Sequence, residues 1–120
     1  MTKSKLNLCD LAGSEKIQAE MNVIGDHFKE LKNINLSLST LSKVISALAI
    51  GSTHIPYRES KLTRILQDSL SGKNNTVIIA SLSPLSENID ESINTLHFIK
   101  RAMQIRIDPK SNVIKASDNE

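Results

Sequence analysis

The longest regular pattern in this sequence of 120 residues is an apolar repeat in its first half. Apolar residues recur there at spacings of three and four, the period of one face of an α-helix, at Phe28, Leu31, Ile34, Leu38, Leu41, Ile45 and Leu48. Gly51 follows the repeat and can end a helix. The pattern therefore predicts one long helix, which ends before Gly51 and needs partners for its apolar face.

Two short apolar runs lie on either side of the helical region. Residues 6–12 read LNLCDLA and end at Gly13, and residues 76–82 read TVIIASL, which is rich in β-branched residues. Runs of this length suit buried parallel strands, and parallel strands need a helical crossover between them. We therefore predict an α/β fold, with the single cysteine, Cys9, as a buried thiol in the first strand.

Two further helices are predicted after the long one. Ser60 can cap a helix whose apolar face would comprise Leu62, Ile65, Leu66 and Leu70. Asn88 and Glu91 resemble a capping box for a last helix, with Lys100 and Arg101 at its other end. Its predicted apolar face is Ile89, Ile93, Leu96, Ile99 and Met103. Residues beyond Pro109 lack periodicity, and we expect a mobile tail.

Composition excludes several classes of protein. A formal net charge of +2 is too small to indicate a nucleic-acid or membrane partner. A lone cysteine cannot form an internal disulfide, which favours a reducing compartment. No apolar stretch approaches the roughly 20 residues of a membrane-spanning helix. We expect one small soluble domain without a targeting segment.

The sequence DLAGSE at residues 10–15 lies just outside the carboxyl end of the first predicted strand, where open α/β sheets bind ligands. The carboxylate of Asp10 can hold a metal ion through water, and the N–H group of Gly13 can approach a terminal phosphate. Glu15 can pair with a cation on a neighbouring loop. Alternatively, Asp10 only caps a turn and Gly13 supplies an unusual backbone angle. This motif alone does not decide between the two interpretations.

Two further motifs follow in order. NINLSL at residues 33–38 leads into VISAL at 44–48, and residues 54–70 read HIPYRESKLTRILQDSL. Together with DLAGSE they closely resemble the C-terminal third of a kinesin motor domain over residues 4–106. The resemblance implies a fragment of the kinesin P-loop NTPase fold, with two buried strands, three main helices and an incomplete central sheet. Residues 1–106 would be the partial motor domain, and residues 107–120 a tail that resembles the neck linker.

The resemblance also implies roles for individual residues. Asp10, Gly13 and Glu15 would form switch II, which contacts magnesium through water, senses the γ-phosphate of ATP and bridges to an arginine of switch I. The long helix would relay the nucleotide state, and the neck linker would start at Ile105. ATP and Mg would be the cofactors of a complete motor. His27 and His97 have no partners at metal-ligand spacing, and we interpret them as structural.

The third motif implies a microtubule-binding surface. Arg58, Lys61 and Arg64 occur at three-residue spacing and predict a positive ridge on one flank of a helix, joined by His54 when it is protonated; Tyr57 belongs to the same motif. Tubulin is the implied partner, other kinesin chains are further candidates, and the implied location is the microtubule cytoskeleton of the cytoplasm. The alternative is an ordinary solvated helix face, whose positive charge is partly offset by Glu59 and Asp68.

Parts of a complete motor do not occur in the sequence. It contains no Gly-x-x-x-x-Gly-Lys-Ser/Thr phosphate loop and no segment of the kinesin switch I type. We therefore expect no ATP hydrolysis by this chain alone, and we expect unpaired strand edges. A truncated motor domain, from a gene fragment or decayed copy, is one interpretation. A non-catalytic microtubule-binding or kinesin-interacting module is the other.

Overall fold

Three α-helices make up most of the computed structural model, which describes residues 5–13 and 26–107, apart from the side chains of residues 26–28. The helices are α1 (Asp26–Ala49), α2 (Lys61–Leu70) and α3 (Ile89–Ala102). Short 3₁₀ turns, Tyr57–Glu59 and Ser86–Asn88, precede α2 and α3. The three helices predicted from periodicity and capping residues are therefore present, and α1 ends before Gly51 as predicted.

The hydrophobic core is formed on α1, which contacts both α2 and α3. Leu41, Val44 and Ile45 of α1 are buried together with Leu70 of α2. Around them pack partly buried side chains from the other elements, among them Leu48, Ile55, Tyr57, Leu62, Leu66, Phe98, Ala102 and Ile105. Burial of each large aliphatic side chain contributes roughly 1.5–3 kcal/mol. The second half of the predicted apolar repeat is thus the part of α1 that holds the other helices.

The end of α1 is set by a glycine. Gly51 has a φ of 66°, its N–H group donates to the carbonyl of Leu48 at 3.1 Å, and the N–H group of Ser52 donates to the carbonyl of Ala47 at 2.9 Å. This pair of bonds is the Schellman arrangement, which satisfies carbonyls at a helix end and requires a left-handed residue. The chain therefore leaves α1 in a direction that places the following loop against the core.

The start of α2 is capped as predicted. The hydroxyl of Ser60 accepts from the N–H group of Thr63 at 3.1 Å. The packing face of α2 is narrower than predicted, because Leu62, Leu66 and Leu70 face the core whereas Ile65 is 77% exposed. Residues spaced by four follow one contact line along a helix, and α2 packs along a single such line on α1. Ile65 lies off that line.

Helix α3 packs through a different stripe from the predicted one. Phe98 and Ala102 contact the core, whereas Ile89, Ile93, Leu96 and Met103 are between 44% and 81% exposed. The predicted capping box is also absent. Asn88 has φ −106° and ψ 17°, makes no side-chain capping bond, and donates through Nδ2 to the hydroxyl of Ser83 at 3.0 Å. The preceding 3₁₀ turn holds Asn88 outside the extended backbone region that a capping residue normally adopts.

A side-chain bond joins α3 to α1. The Nη2 atom of Arg101 donates to the hydroxyl of Ser42 at 3.1 Å. The Nε atom of Arg101 is buried and has no hydrogen-bond partner among the residues that the structure describes. The sequence predicts only that Arg101 complements the carboxyl end of the α3 dipole. In the structure it also fixes the end of α3 against the middle of α1.

The two runs predicted as buried strands differ from that expectation. No strand occurs within residues 5–13 and 26–107, and both runs are exposed: Leu6 and Leu8 by 82% and 89%, Val77 and Ile79 by 85% and 90%. Cys9 is exposed as well, not buried as predicted. A strand is stable only when a neighbour takes up its backbone hydrogen bonds, and neither run has such a neighbour in the described part of the chain. The sheet of the α/β fold is therefore incomplete.

The turn after α2 brings the chain close to the segment that follows α3. Gly72 has a φ of 79°, and a Cβ atom built on it would lie 2.9 Å from the carbonyl oxygen of Arg106. Asn74 and Ser71 donate through their side chains to the carbonyl of Asp68, each at 2.9 Å. The absence of a side chain at Gly72 thus permits two backbone segments to approach closely.

A pair of glycine substitutions tests this packing. The Cβ atom of an alanine at Gly51 would meet open space. This substitution should therefore destabilise the protein only through its left-handed backbone angle, by about 1–2 kcal/mol. Alanine at Gly72 has the same backbone strain and also collides with the carbonyl of Arg106, so we expect about twice the loss. Urea unfolding followed by far-ultraviolet circular dichroism measures both. Equal losses for Gly51→Ala and Gly72→Ala would contradict the close approach.

Candidate functional site

Five residues from the HIPYRESKLTR segment form a candidate binding surface, called here the basic surface: His54, Tyr57, Arg58, Lys61 and Arg64. The side chains of the four basic members are exposed, and Tyr57 is half-buried. Lys61 and Arg64 lie on α2, but Arg58 lies in the preceding 3₁₀ turn. The single helical ridge predicted from their spacing is therefore divided between two elements, because Ser60 between them has the extended backbone of an N-cap, with φ −143° and ψ 156°.

A buried threonine fixes the 3₁₀ turn to α2. Thr63 is fully buried, and its hydroxyl donates to the carbonyl of Tyr57 at 2.8 Å. The same hydroxyl also lies 2.9 Å from that of Ser60. Because a buried hydroxyl that loses its partner costs about 1–3 kcal/mol, this bond holds the two elements together. It thereby sets the position of Arg58 relative to Lys61.

Tyr57 connects the basic surface to the hydrophobic core. Its ring packs against the hydrophobic core. Burial raises the pKa of the Tyr57 hydroxyl above its ordinary value of 10.0, since the charged phenolate loses solvation. Tyr57 is therefore neutral at physiological pH, and within the basic surface it contributes packing area more than charge.

The loop that carries His54 is held by a neighbouring serine. The hydroxyl of Ser52 donates to the carbonyl of His54 at 3.0 Å and lies 3.3 Å from the N–H group of the same residue. These contacts involve only the backbone of His54. The imidazole remains exposed to solvent at the edge of the basic surface.

An ion pair that the sequence did not indicate lies beside the basic surface. The Nζ atom of Lys43 in α1 lies 3.3 Å from Oε2 of Glu59 in the 3₁₀ turn. Their side chains are 61% and 51% exposed. The two residues are 16 positions apart, so no local spacing rule could have linked them. The sequence predicts that Glu59 offsets the basic ridge, and in the structure Glu59 faces a cation of its own.

The second candidate site is an open cleft of about 590 Å³ between the segment 5–13 and α1. Its lining includes Asp10 together with Cys9, Leu11, Ala12, Lys29, Glu30, Asn33, Ile34, Ser37, Leu38 and Leu62. Asp10 and Gly13 are both exposed. Glu15, the third residue of the DLAGSE motif, lies outside the described residues. The structure therefore brings Asp10 to the side of α1 but does not test the arrangement of all three.

The residues of this cleft do not by themselves fit ATP with magnesium. Within the described ranges, no group of three His, Cys, Asp or Glu side chains could hold a metal ion. The sequence supplies no glycine-rich loop to surround a triphosphate. Asp10 is the single carboxylate of the motif that the structure describes.

The segment after α3 is anchored at its first residues. The N–H group of Ile105 donates to the carbonyl of Ala102 at 3.1 Å, and the Ile105 side chain packs against the core. The predicted neck-linker start is thus held on the helical core, whereas the predicted mobile tail, residues 107–120, lies outside the described residues except for its first residue. Among the helices described, none combines the length and the hydrophobicity of a membrane span.

Comparison with known proteins gives four consistent similarities: one to a family model, two to curated relatives and one to a solved structure. Residues 1–105 match the family model described as kinesin motor domain. The chain is 53% identical over 113 residues to kinesin-like protein klp-20 of Caenorhabditis elegans, and 53% identical over 109 residues to kinesin-related protein 7 of Dictyostelium discoideum. These matches cover 93% and 91% of this chain but only 17% and 9% of the relatives.

A solved structure is similar in fold. It is described as "Crystal structures of mutants reveal a signalling pathway for activation of the kinesin motor ATPase". The similarity has a TM-score of 0.65 and 47% sequence identity, and it covers 78% of this chain and 29% of the other. The expected fold class, a fragment of the kinesin fold with an incomplete sheet, is thereby confirmed.

The burial of Tyr57 can be measured directly, because it is the one tyrosine in a sequence without tryptophan. We expect tyrosinate absorbance to titrate above pH 10 in the folded chain and near 10 in denaturant. The folded state favours the neutral phenol. The contribution of Tyr57 to the free energy of unfolding is therefore fully present below the pKa of the unfolded state, and it is lost as the pH rises through the pKa of the folded state. Tyr57→Phe should remove both the signal and this pH dependence. A folded-state midpoint at or below 10 would contradict the burial.

Proposed function

This chain belongs to the kinesin motor domain family, and on that premise we propose that it is the microtubule-binding and nucleotide-sensing portion of a kinesin-like, ATP-driven microtubule motor. The chain spans less than a third of the solved kinesin structure it resembles and less than a fifth of its curated relatives. The activity of a whole motor is therefore proposed for a complete protein. The binding of microtubules is proposed for this chain.

The observation that supports microtubule binding is the basic surface. Arg58, Lys61 and Arg64 are exposed on two elements that the Thr63 hydroxyl joins. The outer surface of a microtubule is acidic, and complementary charge speeds association and sets orientation. Such a surface can bind without nucleotide. We therefore propose the microtubule cytoskeleton of the cytoplasm as the cellular location of this protein.

Switch II and the neck linker are proposed by family likeness. Asp10 would contact magnesium through water, Gly13 would sense the γ-phosphate and Glu15 would bridge to switch I, all within a complete motor. Asp10 lies beside α1, whose other end forms the core with α2. Helix α1 is thus suited to transmit a change at the nucleotide to the basic surface and to Ile105.

We propose that the isolated chain does not hydrolyse ATP. Phosphoryl transfer depends on positioned backbone N–H groups, a lysine and magnesium ligands that stabilise the developing charge. The sequence carries neither the phosphate loop nor the switch I motif that supply them in kinesins.

A second candidate function is a non-catalytic microtubule-binding module, or one that interacts with other kinesin chains. It is favoured by one observation. Residues 40–70 contain the basic surface, the buried residues of α1 and α2, and the caps that connect these elements. The DLAGSE motif lies outside this range. All the residues to which we assign this binding role are therefore present in the chain.

Co-sedimentation with microtubules tests the proposed surface. We expect salt-sensitive binding. Arg58→Ala and Lys61→Ala should each weaken the affinity by about 2- to 5-fold, which corresponds to the loss of one solvent-exposed ion pair. Lys100→Ala is the matched control, because it removes the same charge from an exposed position on α3. No binding at low salt, or equal weakening by the control, would refute this surface.

A phosphate-release assay tests the proposed inactivity. With ATP, magnesium and saturating microtubules, the chain should release no more phosphate than microtubules alone. Microtubule-stimulated release that is lost in Asp10→Asn would show that the chain is an active enzyme and would overturn this part of the proposal.

A further inference from the structure

The contact between Arg101 of α3 and Ser42 of α1 satisfies only half of one edge of the guanidinium group. The Nε and Nη2 atoms of an arginine point to the same side, in a fork that suits the two oxygens of a carboxylate. Here Nη2 donates to the hydroxyl of Ser42 at 3.1 Å, while the buried Nε has no acceptor among the described residues. A hydroxyl offers a single oxygen, so it does not serve both donors.

We propose that the bond between Ser42 and Arg101 controls a local opening of the structure. In this opening the carboxyl end of α3, together with the chain from Ile105 onward, detaches from α1 while α1 and α2 stay packed. The inference goes beyond the proposed function, because the opening requires neither a nucleotide nor a microtubule.

Helix α3 is the less firmly attached of the two helices that pack on α1. It contributes no buried residue, whereas α2 buries Thr63 and Leu70. Phe98 and Ala102, through which α3 contacts the core, are only partly buried. Segments with few buried apolar contacts open at a lower free energy than the core does. The bond to Ser42 is therefore a large share of what fixes this end of α3.

The unpartnered Nε of Arg101 weakens the closed arrangement. A buried donor without an acceptor raises the free energy of the closed state, and it regains hydration when the helix moves away. This hydration offsets part of the bond that is lost to Ser42. The closed and open arrangements are thus closer in free energy than they would be if the arginine were fully satisfied.

Helix propensity alone predicts the opposite effects of substitution at Ser42. Alanine forms helices better than serine and aspartate forms them no better, so propensity makes the alanine variant the most stable. No charged residue lies three or four positions from Ser42 in the sequence, so no such neighbour on α1 would stabilise an aspartate. Arg101 can reverse this ranking, because a carboxylate at position 42 supplies acceptors for Nη2 and Nε together.

Urea unfolding of Ser42→Ala and Ser42→Asp is the first test. We expect the folding equilibrium constant to fall about 3-fold in Ser42→Ala and to rise about 5-fold in Ser42→Asp, since bonds between charged groups are the stronger ones. In an Arg101→Gln background the ranking should return to that of propensity. A Ser42→Ala variant more stable than the unaltered chain would overturn the proposal. So would a gain in Ser42→Asp that persists in the Arg101→Gln background.

Amide hydrogen exchange in low urea is the second test, because it separates a local opening from global unfolding. The N–H groups of Gln104 and Ile105 donate to the carbonyls of Arg101 and Ala102 at 3.0 and 3.1 Å. In the unaltered chain we expect their exchange to be nearly independent of urea, whereas exchange of the Ile45 amide in the core should rise with urea. Equal urea dependence of all three amides would show that α3 detaches only when the whole chain unfolds, and would overturn the local opening.

The same measurement on the variants links the opening to the bond. Exchange at Gln104 and Ile105 should be about 3-fold faster in Ser42→Ala and slower in Ser42→Asp, in proportion to the strength of the contact with Arg101. Fraying of the last turn of α3 by itself would not depend on residue 42. Unchanged exchange of these two amides in both variants would therefore overturn the proposal.

Discussion

The burial of one short segment of α1 is the constraint on which the rest of the structure depends. Leu41, Val44 and Ile45 are almost fully shielded from solvent, and α2 and α3 both pack against α1. The hydrophobic effect acts without direction, so the orientation of these helices comes from polar contacts at their ends. The bond from Arg101 to Ser42 and the glycine-terminated end of α1 supply that orientation.

The position of the basic surface depends on this core. Tyr57 is packed against it, and Thr63 ties the backbone of Tyr57 to the first turn of α2. The backbone that carries the cations is thereby already ordered, which lowers the entropic cost of an association through this surface. Lys43 comes from the opposite, exposed face of the same α1 segment, so one stretch of helix contributes both to the core and to the charges around the surface.

Patterns with a local physical cause could be predicted from the sequence. The period of α1, the cap at Ser60 and the glycine after Ala49 each act over a few residues, and each occurs in the structure as predicted. Patterns that need a distant partner were less reliable. The packing stripe of α3 was misplaced because apolar spacing identifies an apolar face but not which neighbour is present to cover it. The burial of the two apolar runs was overestimated for the same reason.

The sequence by itself determined where the helices form, which family the motifs resemble, and which cations could bind an acidic partner, because these properties depend on residue identity and short spacings. Only the tertiary structure decided that Arg58 stands on a separate turn from Lys61, that Arg101 joins α3 to α1, and that Lys43 faces Glu59. Contacts of this kind join residues far apart in the chain. Their energies depend on distances and burial that no local pattern contains.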